Sequence, residues 1–520
     1  MPAKRIPIML LYVVLQVQVV PLIFSCSQPT AREIIDRGWA LTRSGRFKEA
    51  GDLVLEAARE AYNRGDYQNA IHLYYNSLLM YLRGGYLQES FNILDEVFGS
   101  EWPANEIPEK YSFIGLIKMS MVNYLKLGDF GKARELAEVL DRALREGRLS
   151  YGVVDFKFTP GEEETRVLLL YLGDYYWWVG DEAKACEYWS RAAEVYEEGV
   201  RRAWRNVWKA AYALALYEYC GMQSEAKNLA RDFTSRFHKR IWKITYKDPL
   251  EYYDEIATYV MFQLYLGNTS EAMRAGALLI KTLTEEGYYY EAFEILTLLG
   301  TFNKTLTEIG EKAIKDLETD LEEGRYPSGL ITWPYLRLAI AGMYLRKPEF
   351  KKYAEKAYKV RMAASNNIVF HSIVLLYWLS AGDVNRALEV WDKAGRVLSA
   401  WWVAGCWVSP PLNTSWVESF IEEMASANKT IAKGEEAIST LSGEAKARAR
   451  ELLEEAKRLY GEYRFREAEA KAMEAIKLAE REKRETVMLA LAAVVAAVAV
   501  VVVVTWLRRA KASTESRASR

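Results

Sequence analysis

A six-residue pattern that recurs along the chain constrains its fold more than any other feature of the sequence. Each copy begins with Gly and ends five residues later with Ala, and several have an aromatic residue two positions after the Gly. The copies are Gly45–Ala50, Gly65–Ala70, Gly128–Ala133, Gly180–Ala185, Gly221–Ala226, Gly267–Ala272, Gly287–Ala292 and Gly382–Ala387, with Tyr463–Ala468 as a last copy that lacks the Gly. Repetition of a short unit is typical of stacked copies of one structural motif.

The pattern predicts two helices joined by a tight turn. Gly can adopt the positive φ that ends a helix, and Asp66 or Asp129 can accept hydrogen bonds from the free amides of the next helix. The aromatic residue is expected to cover the apolar seam, and the Ala to allow close approach of the helices. Small and large residues continue on one helix face in three copies: Ala185, Trp189 and Ala192; Ala387, Trp391 and Ala394; Ala468, Ala472 and Ala475.

These residues resemble the tetratricopeptide repeat, whose helical hairpin has Gly, an aromatic residue and Ala in the same order. The resemblance covers most of Ile34–Leu398. Successive Gly positions are 20 residues apart from Gly45 to Gly65 and 95 apart from Gly287 to Gly382, instead of the constant ~34 of that family. The resemblance implies an all-α fold, a degenerate tetratricopeptide-like α-solenoid of helical hairpins.

Breaks in the pattern divide the chain. Loops or longer excursions are expected at Glu101–Glu109, Tyr151–Gly161 and Tyr326–Pro334, each of which contains Pro. The predicted solenoid spans 30–407, and a linker with Pro410 and Pro411 spans 408–415. A charged, Ala-rich helical hairpin is predicted at 416–486, close to the membrane. A coiled-coil stalk is the alternative for this segment, although its apolar positions are mostly Ala and its heptads are few.

An apolar segment near the C-terminus, Val487–Leu507, contains no charged side chain. At about 1.5 Å rise per residue, a helix of this length crosses the hydrocarbon core of a membrane. The residues after Trp506 include five basic ones, with only Glu515 opposing them: Arg508, Arg509, Lys511, Arg517 and Arg520. The positive-inside rule therefore predicts a single-pass protein of the cell membrane, with a cytoplasmic tail at 508–520 and an extracytoplasmic chain before the span.

The N-terminus agrees with export. Lys4 and Arg5 precede an apolar run, Ile6–Phe24, which is typical of a secretory signal and predicts a signal peptide at 1–26. Cys26 is a candidate lipidation site because the preceding residues resemble a bacterial-type lipobox, although Phe24 stands where that pattern has a small residue. An uncleaved signal anchor is the third alternative, and all three place the solenoid outside the cell.

Composition excludes several classes of function. With 69 basic and 70 acidic residues the net charge is −1, and no basic stripe suits nucleic acid. The four Cys include no Cys-x-x-Cys pair, and the three His have no metal-binding spacing. We find no catalytic, cofactor or metal motif, so an enzyme is not indicated, although carboxylate-based hydrolases leave no short motif. Abundant Glu, Lys and Arg beside scarce Gln is the composition of heat-adapted proteins.

Several residues are candidate sites. Four glycosylation sequons lie on the predicted outer side, at Asn268, Asn303, Asn413 and Asn428, and Asn268 is the first choice because it lies in a hairpin turn. Cys186 and Cys220 are predicted at facing ends of antiparallel helices, where a disulfide can form. Most aromatic residues are expected in the core, but Trp401, Trp402 and Trp407 are candidate ligand contacts, because adjacent Trp side chains on one helix cannot face the same core.

Three functions fit these features. The first is a surface scaffold that binds another protein of the cell envelope and helps to assemble a complex. The second is a glycan- or peptide-binding surface receptor, and the third, less favoured, is a helical-toroid glycosidase with paired carboxylates. Neither the oligomeric state nor a cofactor is indicated by the sequence.

Overall fold

The computed structural model describes residues 29–103, 110–202, 208–245, 253–300, 304–323, 332–347, 349–363, 367–403, 414–439 and 441–518. It divides into two compact units, Met1–Val417 and Glu418–Arg520. The described residues form 21 α-helices and one two-stranded hairpin. The predicted all-α class, an α-solenoid of helical hairpins followed by a long apolar C-terminal helix, is confirmed.

Unit 1 is an array of helical hairpins. The first ten helices are α1 (Pro29–Arg43), α2 (Phe47–Asn63), α3 (Tyr67–Gly84), α4 (Leu87–Gly99), α5 (Lys110–Leu127), α6 (Phe130–Glu146), α7 (Glu162–Trp178), α8 (Glu182–Arg202), α9 (Trp208–Tyr219) and α10 (Gln223–Thr245). The next eight are α11 (Tyr253–Tyr265), α12 (Thr269–Glu285), α13 (Tyr289–Leu298), α14 (Lys304–Glu322), α15 (Thr332–Tyr344), α16 (Glu349–Lys359), α17 (Asn367–Ala381) and α18 (Val384–Val403). Each odd-numbered helix pairs with the even-numbered helix after it, which gives nine hairpins within the described part of this unit.

The repeated pattern forms the turns as predicted. All eight of its Gly residues have positive φ, and Tyr463, which replaces Gly in the last copy, has φ 60°. Asp66 accepts a hydrogen bond from the Asn69 amide, and Asp129 accepts one from the Lys132 amide. The Ala of every copy is fully buried: Ala50, Ala70, Ala133, Ala185, Ala226, Ala272, Ala292, Ala387 and Ala468. The prediction for the aromatic position is wrong at Phe130, whose side chain is 44% exposed.

The irregular spacing of the pattern has a structural reason. Gly45 lies in the turn within a hairpin, whereas Gly65 lies between one hairpin and the next, so these two copies are only one helix apart. The long gap before Gly382 contains two turns that the pattern misses. One is made by Gly300, with φ 66°, and the other by Arg346, with φ 50°, and neither is followed five residues later by Ala.

The helices of unit 1 form two layers that differ in amino-acid composition. From α5 onward the first helix of each hairpin is apolar on most of its circumference, as in α9 and α17, and such a helix is expected to be covered on more than one side. The second helices, such as α6 and α16, have one apolar face and one charged face. Neighbouring first helices also contact each other, for example α3 with α5 and α5 with α7. The first helices therefore form the inner layer.

The expected breaks are partly observed. The excursion expected at Tyr151–Gly161 overlaps an antiparallel hairpin that begins three residues earlier, β1 (Arg148–Tyr151) with β2 (Val154–Lys157). Of the predicted loop at 101–109, residues 101–103 are non-helical and the rest lies outside the described residues. Two predicted boundaries need correction, because α15 begins at Thr332 and a helix begins at Thr414, so both breaks end earlier than expected.

The last hairpin of unit 1 returns to the first half of the array. Phe370 and His371 of α17 pack against Trp178, with ring centroids 5.7 and 4.8 Å apart. Arg396 of α18 donates a hydrogen bond of 2.7 Å to the carbonyl of Tyr219, at the end of α9. The short 3₁₀ turn Arg361–Ala363 also contacts α3. The inner layer is therefore covered on one side by a later part of the same chain.

Unit 2 consists of three helices. They are α19 (Thr414–Ser439), which begins before the unit boundary, α20 (Gly443–Gly461) and α21 (Phe465–Ala518). Their core is built largely from Ala and aliphatic residues: Ile431, Ile438, Ala449, Leu453, Ala456, Ala472 and Ala475. The 54-residue α21 continues without a break through the apolar segment. Within the described residues, α21 is the one helix long and apolar enough to cross a membrane, and its apolar window is not buried.

Candidate functional site

The first helices of three successive hairpins carry a group of partly buried cationic and aromatic side chains. We call it the inner cluster: Tyr75 and Arg83 of α3, Lys118 and Lys126 of α5, and Tyr171 of α7. Every member is partly open to solvent, although protein surrounds it.

Arg83 is the most unusual member. Its guanidinium carbon lies 4.2 Å above the ring of Trp39, a cation–π contact. Its Nη1 atom is buried and has no hydrogen-bond partner among the described residues. Burial lowers the pKa of Arg83 to about 10, and the Tyr75 hydroxyl nearby partly opposes this shift. A buried guanidinium without a carboxylate is costly, because the lost hydration is not replaced.

Both lysines share this environment. The Nζ atom of Lys118 lies 4.6 Å from the centre of the Tyr171 ring, and burial lowers the pKa of Lys118 to about 8, with the charge of Arg166 adding to the effect. Lys126 donates a hydrogen bond of 3.1 Å to the carbonyl of Met362, and burial lowers its pKa to about 7. Among the described residues, no carboxylate forms an ion pair with Lys118 or Arg83.

The surroundings fix the aromatic rings of the cluster. A Cβ on Gly115 would lie 2.8 Å from the Tyr75 ring, so the absence of a side chain there lets the ring pack on α5. Tyr171 interacts electrostatically with Tyr75 and with Asp174, three residues further along α7. Burial raises the pKa of Asp174 to about 7, an effect that a hydrogen bond from Trp189 partly offsets. The Asp174 carboxyl is therefore only partly ionised at neutral pH.

The predicted cysteine pair lies at the junction of two hairpins. Cys186, in the first turn of α8, and Cys220, directly after α9, are joined in a disulfide with their Cα atoms 5.4 Å apart. Arg396 contacts both joined elements, since it pairs with Glu182 at 3.1 Å and binds the Tyr219 carbonyl. The disulfide thus lies where the last hairpin of unit 1 docks.

The glycosylation candidates lie in different surroundings. Asn268 is exposed in the turn before α12, and its Nδ2 donates a hydrogen bond of 2.8 Å to Gln263. Asn428 is exposed in the middle of α19, but the Thr430 of its sequon is 8% exposed. Asn303 and Asn413 lie outside the described residues. The use of any of the four sites stays a prediction.

The remaining candidates fall largely outside the described part of the chain. Trp401 and Trp402 belong to α18, but their side chains are not described, and Trp407 and Cys26 lie outside the described residues. Of the other aromatic clusters, Trp177 and Trp178 are buried, as expected for the core. Within the described residues, no group of three or more His, Cys, Asp or Glu side chains has the arrangement of a metal site.

Sequence reasoning missed the inner cluster. The signal that points to it is the composition of α5, where Lys118 and Lys126 stand eight residues apart in a helix that is otherwise largely apolar. A periodicity of eight places two residues near one helix face, together with Gly115. The residues of α3 and α17 that lie near this face of α5 are far from it in sequence, so no local sequence pattern predicts that they meet.

Comparisons with protein-family models, with curated proteins and with solved structures find no match to this chain. Its classification therefore rests on its own architecture. Among the described residues that architecture is 21 α-helices packed in adjacent pairs, with one long apolar helix at the C-terminal end.

Proposed function

We propose that the chain is a membrane-anchored extracytoplasmic scaffold, in which a tetratricopeptide-like array contacts another protein of the cell envelope. The observation that carries this proposal is the combination of nine stacked hairpins with an exposed apolar helix long enough to span a membrane. Gly turns followed by buried Ala residues support the tetratricopeptide-like character of the hairpins. Arrays of this kind present extended surfaces on which proteins bind.

Charge and cysteine chemistry support the orientation. The basic residues after Trp506 favour a cytoplasmic tail, which leaves unit 1 and the part of unit 2 before the apolar segment outside. A disulfide between Cys186 and Cys220 persists in an oxidising exterior and is rare in a reducing cytoplasm. Outside the cell, Asn268 is the sequon that we expect to carry a glycan first in a host that glycosylates, because it lies in an exposed turn.

One edge of unit 1 is suited to a protein partner. Leu127 and Phe130, on either side of the α5–α6 turn, are 49% and 44% exposed, and Val179 in the equivalent α7–α8 turn is 37% exposed. These three residues, which we call the turn edge, lie at corresponding ends of adjacent hairpins. Neighbouring exposed apolar residues are more typical of an interaction surface than isolated ones.

Site-specific photo-crosslinking in native membranes tests this proposal. A photoreactive amino acid is placed in the full chain at Phe130 or Val179, and at Val153 as a control that is more exposed, at 57%, but lies in the β1–β2 turn. We expect a discrete adduct with one envelope protein from the two turn-edge positions and none from the control. Adducts of equal intensity at all three positions, or at none, would contradict the proposal.

A ligand-binding receptor is the second candidate function. The observation that favours it is the inner cluster, which holds partly buried cations, two of them without an ion pair among the described residues. A glycosidase has less support, because Arg83 and Lys118 occupy the inner layer where a pair of convergent carboxylates would be required. Sugar stacking has less support there too, since Lys118 already covers a face of Tyr171.

A further inference from the structure

One second helix of unit 1, α10, carries far more positive charge than the rest of the chain. It contains six basic and two acidic residues, whereas the whole chain is balanced at 69 and 70. Four of its exposed cations form what we call the basic row: Lys227, Arg231, Lys239 and Lys243. With the exposed Ser235 they occupy five positions spaced four residues apart, which form one ridge about 24 Å long on a helix. The row is not evident from the sequence, because its members become neighbours only on a helix.

The basic row differs from the charges on neighbouring second helices. There the same four-residue spacing brings opposite charges together: Arg145 with Asp141 on α6, Arg201 with Glu197 on α8, and Lys281 with Glu285 on α12. None of the four cations of the row has an ion-pair partner among the described residues, and like charges at this spacing weaken a helix. Carboxylates on α10, α11 and α12 pair with other cations: Asp232 with Arg236, Glu255 with Arg240, and Glu271 with Arg274. The row therefore adds no ion pair to the fold and leaves four cations for a negatively charged partner.

Two classes of polyanion fit this surface poorly. A helix that lies on a membrane inserts its apolar face, but the large apolar residues on the inner side of α10 are buried in unit 1: Leu229, Phe233, Phe237 and Ile241. Single-stranded nucleic acid stacks its bases on exposed aromatic rings. Trp242, the one Trp of α10, already lies 3.8 Å beneath the guanidinium of Arg274 and donates a hydrogen bond to Glu271.

An acidic polypeptide in an extended conformation fits the basic row better. Positions four residues apart on α10 lie about 6 Å apart along the helix axis. Alternate side chains of an extended chain lie on one face at intervals of about 6.6–6.8 Å. A segment with Asp or Glu at every second residue can therefore place carboxylates beside all four cations. Segments rich in one charge are commonly disordered and act as interaction tails.

We propose that the basic row of α10 is a docking surface for an extended acidic segment of a protein partner, which lies along the helix with its carboxylates against Lys227, Arg231, Lys239 and Lys243. This inference rests on the proposed scaffold function, because it names the chemistry of the partner. The row belongs to a different hairpin from the turn edge, so the two surfaces can be tested separately. Because the row is exposed, salt should weaken the attraction.

The test measures binding of an acidic peptide to the full chain in detergent at low, constant ionic strength. The probe is a fluorescent peptide of alternating Glu and Ser residues with six carboxylates, and a galacturonate hexamer of equal charge is the second probe. The row variant combines four substitutions: Lys227→Gln, Arg231→Gln, Lys239→Gln and Lys243→Gln. The control variant replaces four exposed cations on four other second helices: Arg134→Gln, Lys281→Gln, Lys304→Gln and Lys351→Gln. Both variants lose the same charge, so a difference between them reports the position of the cations.

We expect saturable binding of the peptide to the wild type, weakened by added salt. The row variant should lose about tenfold or more in affinity, since four exposed ion pairs add up although each alone is weak. The control variant should bind nearly as the wild type does. Gln is a good helix former, so both variants should fold, which their melting temperatures check. Absence of saturable binding, equal losses in the two variants, or tighter binding of the galacturonate than of the peptide would overturn the proposal.

The peptide assay and the photo-crosslinking test can fail independently. A turn-edge adduct without peptide binding would overturn this inference and leave the proposed function standing. Peptide binding that depends on the basic row, without any turn-edge adduct, would support this inference and contradict only the contact proposed at the turn edge.

Discussion

At the scale of single residues, the turns of unit 1 depend on backbone conformation more than on side-chain contacts. Gly128 has φ 79°, and a Cβ added to it would meet nothing within 4 Å. Gly131, three residues later, lies in the first turn of α6, where a Cβ would make only an ordinary contact of 3.6 Å with Asp129. Neither position is crowded, so alanine at Gly128 tests the cost of a positive φ and alanine at Gly131 tests helix propensity.

We expect opposite effects of alanine at these two positions. Gly128→Ala should destabilise unit 1 by about 1 kcal/mol, because Ala pays for a left-handed conformation that Gly adopts freely. Gly131→Ala should stabilise it by about 0.5–1 kcal/mol through higher helix propensity. Chemical denaturation of both variants measures the difference, and a loss of stability in both would mean that the turn geometry is wrong.

Glu294 gives the fold a dependence on pH. This residue of α13 is buried, accepts a hydrogen bond of 3.0 Å from the Tyr253 hydroxyl and lies 3.7 Å from Arg337. Burial raises its pKa from 4.5 to about 7, although the charge of Arg337 opposes the shift. Because the folded pKa is above the unfolded one, the folded state binds the proton more tightly.

The stabilising effect of Glu294 is therefore complete below pH ~4.5 and is lost as the pH rises through ~7. We expect the wild type to unfold at a lower denaturant concentration at pH 8 than at pH 5.5. Glu294→Gln should remove part of this slope, since its amide can still accept from Tyr253 and carries no charge at either pH. Parallel slopes for the two proteins would show that Glu294 does not titrate in this range.

At the scale of elements, the junction of α8 and α9 is held by a covalent bond and an ion pair together. The disulfide closes a loop of 34 residues, and Arg396 of α18 binds on both sides of it. Arg396 is 61% exposed, so its pair with Glu182 adds little to stability on its own. The disulfide is thus expected to be the main restraint at this junction.

Removing the disulfide should measurably weaken unit 1. Cys186→Ala combined with Cys220→Ala should lower the free energy of unfolding by about 3–4 kcal/mol, the value that loop closure gives for a loop of this length. The wild type in reductant should match the double variant, whereas Cys406→Ala should leave the denaturation midpoint unchanged. Equal midpoints for the wild type with and without reductant would show that the bond does not form or does not contribute.

An element can be predicted from the sequence when the residues that determine it are close together in the chain. The Gly turns and buried Ala residues follow from a few neighbouring residues, so the hairpins could be predicted, including the one at Tyr463, which lacks the Gly. Gly300 and Arg346 were missed because their turns are not followed by the expected Ala. The inner cluster requires Lys126 to meet Met362, 236 residues away, and no local pattern encodes that contact.

At the scale of the whole molecule, the chain combines an array of hairpins, a small helical unit and an apolar helix long enough to span a membrane. A different sequence feature accounts for each part. The repeated pattern forms the array, Ala-rich packing forms the core of unit 2, and a run of exposed apolar residues forms the end of α21. The orientation of the span decides whether the array and its disulfide lie outside the cell.

Cysteine labelling on either side of the span tests this orientation most directly. Single cysteines are introduced as Ser439→Cys, in α19, and Ser516→Cys, beyond the span, in a background with Cys26→Ala and Cys406→Ala. Intact cells are treated with a maleimide that does not cross membranes. We expect labelling of the cysteine at 439 in intact cells, and of the cysteine at 516 only after lysis. Labelling at 516 but not at 439 in intact cells, or equal labelling at both, would contradict a single-pass anchor with an extracytoplasmic array.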